Sequence, residues 1–346
     1  EEADRIKAIR RECRGILFYP DGQIMSRRLH KFFNVNERDE TAAHKIDLGQ
    51  PHVILEKLDG SMITPVMTEA GMRWGTKMGV TEVSMQAEVF VASHPDYQEF
   101  AEFVVGAGKT PIFEWCSRKQ RIVVDYPEDR LVLIAIRDNI TGEYSTYEAL
   151  NNLVGPFKIE VVKAYAGTTA NMEHLIAETR AAEDMEGWII RFDDGQMLKV
   201  KGDWYVRIHK TKDNLIWEKN LIELLVNEKL DDTKPYMLED DLRRVEAFET
   251  DFWIGINDAV NKYERYFQTV LSSGLDRKSY AQRWMPTIKD QDPFAPVFVF
   301  ARFDDKDPRD LIINQIRKNT GTQTKIDSVR EMWGGHKWTY SFDGDA

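Results

Sequence analysis

The sequence predicts an α+β protein in two parts: an N-terminal domain of mostly antiparallel sheets over residues 1–210 and an all-helical C-terminal domain over residues 211–346. Three observations predict it. Short β-type runs separated by turn signals fill residues 14–201. Helical stretches interrupt those runs, as in sheets packed with segregated helices. Beyond residue 211 the apolar residues change to steps of three and four, the repeat of one helix face.

Taken in order, Arg14–Tyr19 reads as a strand because Pro20-Asp21-Gly22 supplies a turn after it, and His52–Glu56 reads as the next. A helical stretch is expected over Ser84–Gly106, then a strand over Leu131–Arg137, then helices over Tyr147–Leu153 and Ala170–Asp184. Gly187–Phe192 and Met197–Lys201 flank Asp193-Asp194-Gly195 and read as a hairpin. In the second half Leu242, Val245, Phe248, Phe252, Ile256, Val260, Tyr263 and Phe267 lie on one face of a long helix. Asp276-Arg277-Lys278-Ser279-Tyr280 opens another, and Asp307 is placed to cap a third at Pro308-Arg309-Asp310-Leu311.

With 346 residues, 42% of them hydrophobic and 11% aromatic, the chain can bury a substantial core in two domains. No stretch approaches the run of about 20 apolar residues that a spanning helix needs, and the first residues form no apolar signal core. A soluble, cytoplasmic protein with no membrane partner is expected. Cys13 and Cys116 stand far apart without Cys or His at metal-ligand spacing, so both are expected to be buried free thiols. The formal charge of −11 argues against a surface that grips nucleic acid indiscriminately, because phosphate affinity rests largely on Lys and Arg. Any nucleic-acid site must be a local basic cleft on an acidic body.

The segment Glu56-Lys57-Leu58-Asp59-Gly60-Ser61 carries the most chemistry. An apolar run places Lys57 at a strand end, and Asp-Gly-Ser turns the chain into a second strand. A lysine becomes a nucleophile when desolvation or neighbouring cations lower its pKa. By itself the pattern is equally that of a solvated lysine beside a hairpin turn.

Further short motifs follow in order: Thr76-Lys77-Met78-Gly79, Phe113-Glu114-Trp115, Glu186-Gly187-Trp188 and Lys199-Val200-Lys201. The set resembles the covalent nucleotidyltransferase superfamily of polynucleotide ligases and mRNA capping enzymes. Glu12-Cys13-Arg14-Gly15-Ile16, His30-Lys31-Phe32-Phe33-Asn34-Val35-Asn36-Glu37, Arg121-Ile122-Val123-Val124 and Gly202-Asp203-Trp204-Tyr205-Val206 narrow the likeness to the RNA ligase 1 family of T-even-type bacteriophages. Val245–Thr250 and Asp276–Tyr280 extend it into the helical half.

The resemblance implies an adenylyltransferase domain that uses ATP and a divalent cation, Mg²⁺ with Mn²⁺ as a substitute. It makes Lys57 the nucleophile on the α-phosphate, and sets Lys199 and Lys201, which share one strand face, against that phosphate. Glu186 is the implied metal residue; a salt bridge to one of those lysines is the plain alternative, and the two roles are compatible. Glu114, acidic within an apolar strand, is assigned to the ATP ribose, with a buried ion pair to Arg121 as the alternative. Glu56, Gly60, Lys77 and Phe33 are expected at the nucleotide. Arg14 and Lys31 are expected on the β- and γ-phosphates, where the planar fork of arginine suits two phosphate oxygens.

The implied partner is single-stranded RNA, or a tRNA nicked in its anticodon loop, with a 5′-phosphate and a 3′-hydroxyl; the protein is expected to act as a monomer. The helical domain is expected to govern RNA choice, with Trp253, Tyr263, Tyr266, Tyr280 and Trp284 as candidate stacking residues that fit a helical core equally well. A capping guanylyltransferase or DNA ligase would carry a C-terminal β-barrel where this tail is helical. A purely binding module would not need Lys57, Glu186, Lys199 and Lys201 together. The sequence starts thirteen residues before Arg14, where family members carry a longer segment, so some upstream nucleotide contacts are expected to be missing.

Overall fold

The computed structural model describes residues 2–166 and 171–340. The chain divides into two compact units between His209 and Lys210.

The first unit begins with helix α1 (Glu2–Glu12) and the strands β1 (Leu17–Phe18), β2 (Ile24–Ser26), β3 (Phe33–Asn34) and β4 (His52–Glu56). The expected strand over Arg14–Tyr19 is reduced to β1 because Gly15 takes φ +75, which interrupts extended backbone. Then come β5 (Ser61–Thr68) and β6 (Gly71–Gly75), followed by α2 (Glu82–Ser93) and α3 (Pro95–Gly106). These two helices replace the single stretch expected over 84–106. Pro95 lacks the N–H needed to continue α2 and holds His94 outside helical geometry, and it then serves as the first residue of α3.

The strands β7 (Lys109–Cys116) and β8 (Arg130–Asp138) and the helices α4 (Tyr147–Val154) and α5 (Met172–Ala181) lead to β9 (Gly187–Phe192) and β10 (Met197–Lys201). Asn171 caps α5 by accepting from the His174 N–H, and Ala170, expected at the start of this helix, lies outside the described residues.

Two four-stranded sheets result, ordered β3-β10-β9-β4 and β6-β5-β7-β8. All pairs within them are antiparallel except β3 with β10. In the first sheet Leu55, Ile189 and Lys199 lie side by side in one row, and Val53, Arg191 and Met197 in another. In the second, α2, α3 and α4 cover a core that includes Ile63, Phe100, Phe113 and Leu133. The turn from β4 to β5 carries the chain from one sheet to the other, and Lys57 stands at its start.

The second unit is helical and is organised on α8 (Glu239–Ser272). Val245, Phe248, Phe252, Ile256, Tyr263 and Phe267 are buried along it as the repeat predicts, with Leu242 and Val260 half-buried at the margin. Gly255 allows close packing: a Cβ there would lie 2.2 Å from the Trp333 carbonyl oxygen. Asp276 caps Arg277–Ser279, a π turn over Tyr280–Trp284 follows, and Asp307 caps Pro308–Arg317 through the Arg309 N–H. Tyr263 and Tyr280 are buried in this core, so they are not free to stack on RNA; Trp253, Tyr266 and Trp284 pack partly buried against it. Cys116 is buried as expected, but Cys13 is exposed, at the end of the N-terminal helix. Among the described residues no helix is long and apolar enough to cross a membrane.

Candidate active site

The turn after β4 is held from several directions. The Lys57 N–H donates to the Gly187 carbonyl at 2.9 Å, and the Glu56 N–H to the Lys163 carbonyl at 2.9 Å. Asp59, 3% exposed, accepts from the Val123 and Val124 N–H groups at 2.7 and 2.9 Å and from the Tyr205 hydroxyl at 2.6 Å. Its own N–H donates to the Tyr126 hydroxyl oxygen at 2.9 Å. Gly60 passes so close to β7 that a Cβ would lie 2.2 Å from the Trp115 carbonyl oxygen, so no larger residue fits.

This turn borders a cavity of about 390 Å³. Its lining combines the polar side chains of Arg14, Glu56, Lys57, Lys77, Glu114 and Lys199 with the apolar ones of Leu55, Ile134, Val162, Ile189 and Met197, and Gly60 leaves backbone exposed among them. A lining that mixes apolar side chains with several cations suits a ligand that carries both an apolar ring and anionic groups.

Glu186 opens β9 and is 4% exposed. Its carboxylate joins two of the predicted lysines: Oε2 lies 2.6 Å from Lys57 Nζ and Oε1 lies 2.9 Å from Lys201 Nζ. Burying one carboxylate between two ammonium groups offsets much of its desolvation cost. Lys201 also stands over the Tyr205 ring at 5.0 Å, and Lys199 over the Phe32 ring at 4.7 Å. Burial, reinforced by Lys57, Arg14, Lys31 and Lys201, lowers the Lys199 ammonium to about 8. Burial also raises the Glu114 carboxyl to about 8; Lys57 opposes the rise, and Glu186 and Asp59 add to it. Burial thus favours the protonated form of Glu114 and works against the charge on Lys199. Arg121, the alternative partner for Glu114, is directed to the Val123 carbonyl at 3.0 Å and Asp125 at 3.7 Å.

Arg14, Glu56, Lys57, Gly60, Lys77, Glu114 and Lys199 meet at the cavity, with Glu186 and Lys201 joined to it through Lys57. Lys31 and Phe33 do not line it. The two phenylalanines divide: Phe32 lines the cavity, whereas the Phe33 ring carries Arg38, Arg11 and Lys31 at 4.9, 5.1 and 5.4 Å. Sequence reasoning missed Phe32 and Arg191 in the cavity lining, and the hydrogen-bonding role of Asp59 with Tyr126 and Tyr205. Asp59 stood in a turn signal and Tyr205 in a quoted motif, but nothing local to either linked them.

A model of a family described as RNA ligase matches residues 12–209. A putative RNA ligase of Thermovibrio ammonificans is 30% identical over 295 residues, covering 81% of this chain and 76% of that protein. RNA ligase 1 of bacteriophage TS2126 is 23% identical over 325 residues, covering 90% and 80% respectively. A solved archaeal ATP-dependent RNA ligase aligns with 58% of this chain and 55% of its own at 14% identity and a TM-score of 0.44. The family match and the 30% identical relative define the class: this protein is an RNA ligase. It belongs to the RNA ligase family whose members include the phage RNA ligase 1 enzymes, as the motifs from Glu12 to Tyr205 implied.

Proposed function

We propose that the protein is an ATP-dependent RNA ligase that stores AMP on Lys57 and joins RNA ends in three displacements at phosphorus. In the first, Lys57 Nζ attacks the ATP α-phosphate, a P–N bond forms, and the bond to the β-phosphate breaks to release pyrophosphate. In the second, an RNA 5′-phosphate oxygen attacks the same phosphorus and frees Lys57, leaving a 5′-to-5′ adenylated RNA. In the third, an RNA 3′-hydroxyl attacks the adenylated 5′-phosphate, the phosphodiester forms, and AMP leaves. Each displacement needs alignment and relief of negative charge rather than covalent help from many groups.

The observation that carries this reading is the Lys57–Glu186–Lys201 bridge at the cavity, with Lys199 beside it. Glu186, at 2.6 Å, is placed to take the ammonium proton as Lys57 becomes a free amine. In this reading Lys199 and Lys201 meet the charge that builds on the α-phosphate, and Arg14 and Lys77 take the leaving pyrophosphate. Glu114, protonated near neutral pH, can both donate to and accept from a ribose hydroxyl.

Among the described residues no group of three or more His, Cys, Asp or Glu converges on one point. The buried carboxylate of Glu186 would hold Mg²⁺ or Mn²⁺, with water and substrate phosphate supplying the other ligands. When bound, such an ion supplies charge neutralisation at the phosphate oxygens. The RNA substrate class proposed is a nicked anticodon loop, with the helical domain governing RNA choice and the enzyme acting as a monomer.

The test is incubation of the protein and a Lys57→Ala variant with Mg²⁺ and α-labelled ATP or GTP, followed by denaturing electrophoresis. Label from ATP alone, absent in the variant, is expected. Label from GTP instead would move the assignment to capping chemistry.

A further inference from the structure

Arg28 does not line the cavity, yet it is among the most buried charged residues of the protein at 1% exposure. Its Nε donates to Thr64 Oγ1 on β5 at 2.8 Å, and its Nη1 donates to the Gly15 carbonyl at 2.7 Å. Its Nη2 has no hydrogen-bond partner among the described residues. The backbone of Arg28 is held in turn: Arg137 Nη1 donates to its carbonyl at 2.7 Å, and Arg137 Nη2 reaches Glu12 at 2.7 Å.

Gly15 follows the predicted phosphate arm Arg14. It takes φ +75, and a Cβ there would lie 3.1 Å from Lys77 Cβ and 3.2 Å from Arg28 Nη1. Gly15 is thus packed against both Lys77 and Arg28, and its neighbour Arg14 lines the same cavity as Lys77. A buried cation with an unpaired nitrogen is costly to the fold, and such exceptions are expected where function requires them. Burial lowers the Arg28 guanidinium to about 10, consistent with a charge kept from water.

We propose that Arg28 is a positioning residue: by fastening the Gly15 carbonyl to Thr64 it fixes Arg14 beside Lys77 at the end of the cavity that takes the β- and γ-phosphates of ATP. The inference rests on the lysyl-AMP reading given above. Its chemistry separates the steps. Forming the adduct requires a triphosphate aligned so that pyrophosphate leaves in line, whereas sealing an RNA that already carries a 5′-adenylate involves no β- or γ-phosphate. Loss of Arg28 should therefore harm the first reaction and spare the last.

The experiment uses the full chain with Arg28→Lys, Arg28→Met and Thr64→Val, the last removing one anchor with little change of shape. Two rates are measured: adduct formation against ATP concentration, and sealing of a synthetic 5′-adenylated RNA without ATP. For Arg28→Met the KM for ATP should rise about tenfold or more, as expected on losing a bond to a charged group. Arg28→Lys keeps the charge without the fork and should remain impaired, Thr64→Val should show a smaller rise, and sealing should stay within about twofold of wild type in all three. An unchanged KM in Arg28→Met, or an equal fall of both rates in a variant that still melts cooperatively, would overturn the proposal. Should neither Arg28 variant fold, Thr64→Val decides: a wild-type KM there overturns it as well. A wild-type protein that forms no adduct at all is a separate result and refutes the underlying reading.

Discussion

Lys57 and Glu186 meet at 2.6 Å, and the second oxygen of the same carboxylate holds Lys201 at 2.9 Å. One acidic group therefore bridges both the proposed nucleophile and a lysine proposed to face the phosphate. Replacing it with glutamine keeps the shape and removes the charge. Glu186→Gln is expected to slow formation of the labelled adduct at least about a hundredfold, the scale of losing a positioned acid–base group. Rapid-quench measurement of the adduct checks this; a rate near wild type would remove Glu186 from the proton path.

The cavity should bind nucleotide less well in alkali. Lys199 has its ammonium lowered to about 8, so its positive charge is present below that pH and lost as pH rises through it. Glu114 is raised to about 8, so it is neutral below and negative above. Both changes make the pocket more negative in the same window. Affinity for an α,β-methylene analogue of ATP should fall about tenfold or more as pH rises through about 8, since each local charge contributes on that scale. Glu114→Gln should flatten the profile. A profile indifferent to pH in titration calorimetry would contradict the assignment.

Glu114 also predicts a change in stability. Its folded pKa lies above that of an ordinary carboxyl, so the folded state holds the proton more tightly and loses stability as pH climbs from 4.5 to about 8. Glu114→Gln removes that loss. The variant should gain on the wild type in melting temperature as pH increases, and a constant difference across the window would argue that Glu114 is not buried as described.

Tyr205 donates to Asp59 at 2.6 Å, within the turn that presents Lys57. Tyr205→Phe leaves that oxygen of Asp59 without its donor, a cost of about 1–3 kcal/mol. Thermal melting should register the loss, and adduct formation should slow with it because the lysine turn loses one of its fastenings. Unchanged melting would show that the bond does not contribute.

A chain ending near residue 215 keeps every residue assigned above to the nucleotide cavity. It is expected to form the AMP adduct and to lose discrimination among RNA substrates. Absence of adduct in a truncated protein with an intact melting transition would sink this division of labour.

Much of this was legible in the sequence because it is local. Lys57 follows an apolar run and precedes a turn; Lys199 and Lys201 alternate on one strand; Val245 to Phe267 repeat at helical spacing. The helix break at His94-Pro95 was missed because the helical pattern continues across it. What was not legible depends on distant neighbours. Whether Phe32 or Phe33 lines the cavity depends on which face β3 turns toward it once paired with β10. Asp59 finds partners at residues 123, 124 and 205, and Arg28 at residues 15 and 64, with no periodicity to announce either.

The first sheet pairs Leu55 with Ile189 and Phe33 with Leu198, so strands from the start of the chain wait for strands made much later. Contacts of such long sequence separation form slowly, because loop closure must precede any gain from them. On the ribosome, the lysine turn will have emerged well before Glu186 and Lys199 exist to meet it. The cavity proposed for the nucleotide is thus among the last parts of its unit to assemble, and on that proposal a nascent chain should acquire the capacity to hold AMP only once residue 201 has cleared the exit tunnel.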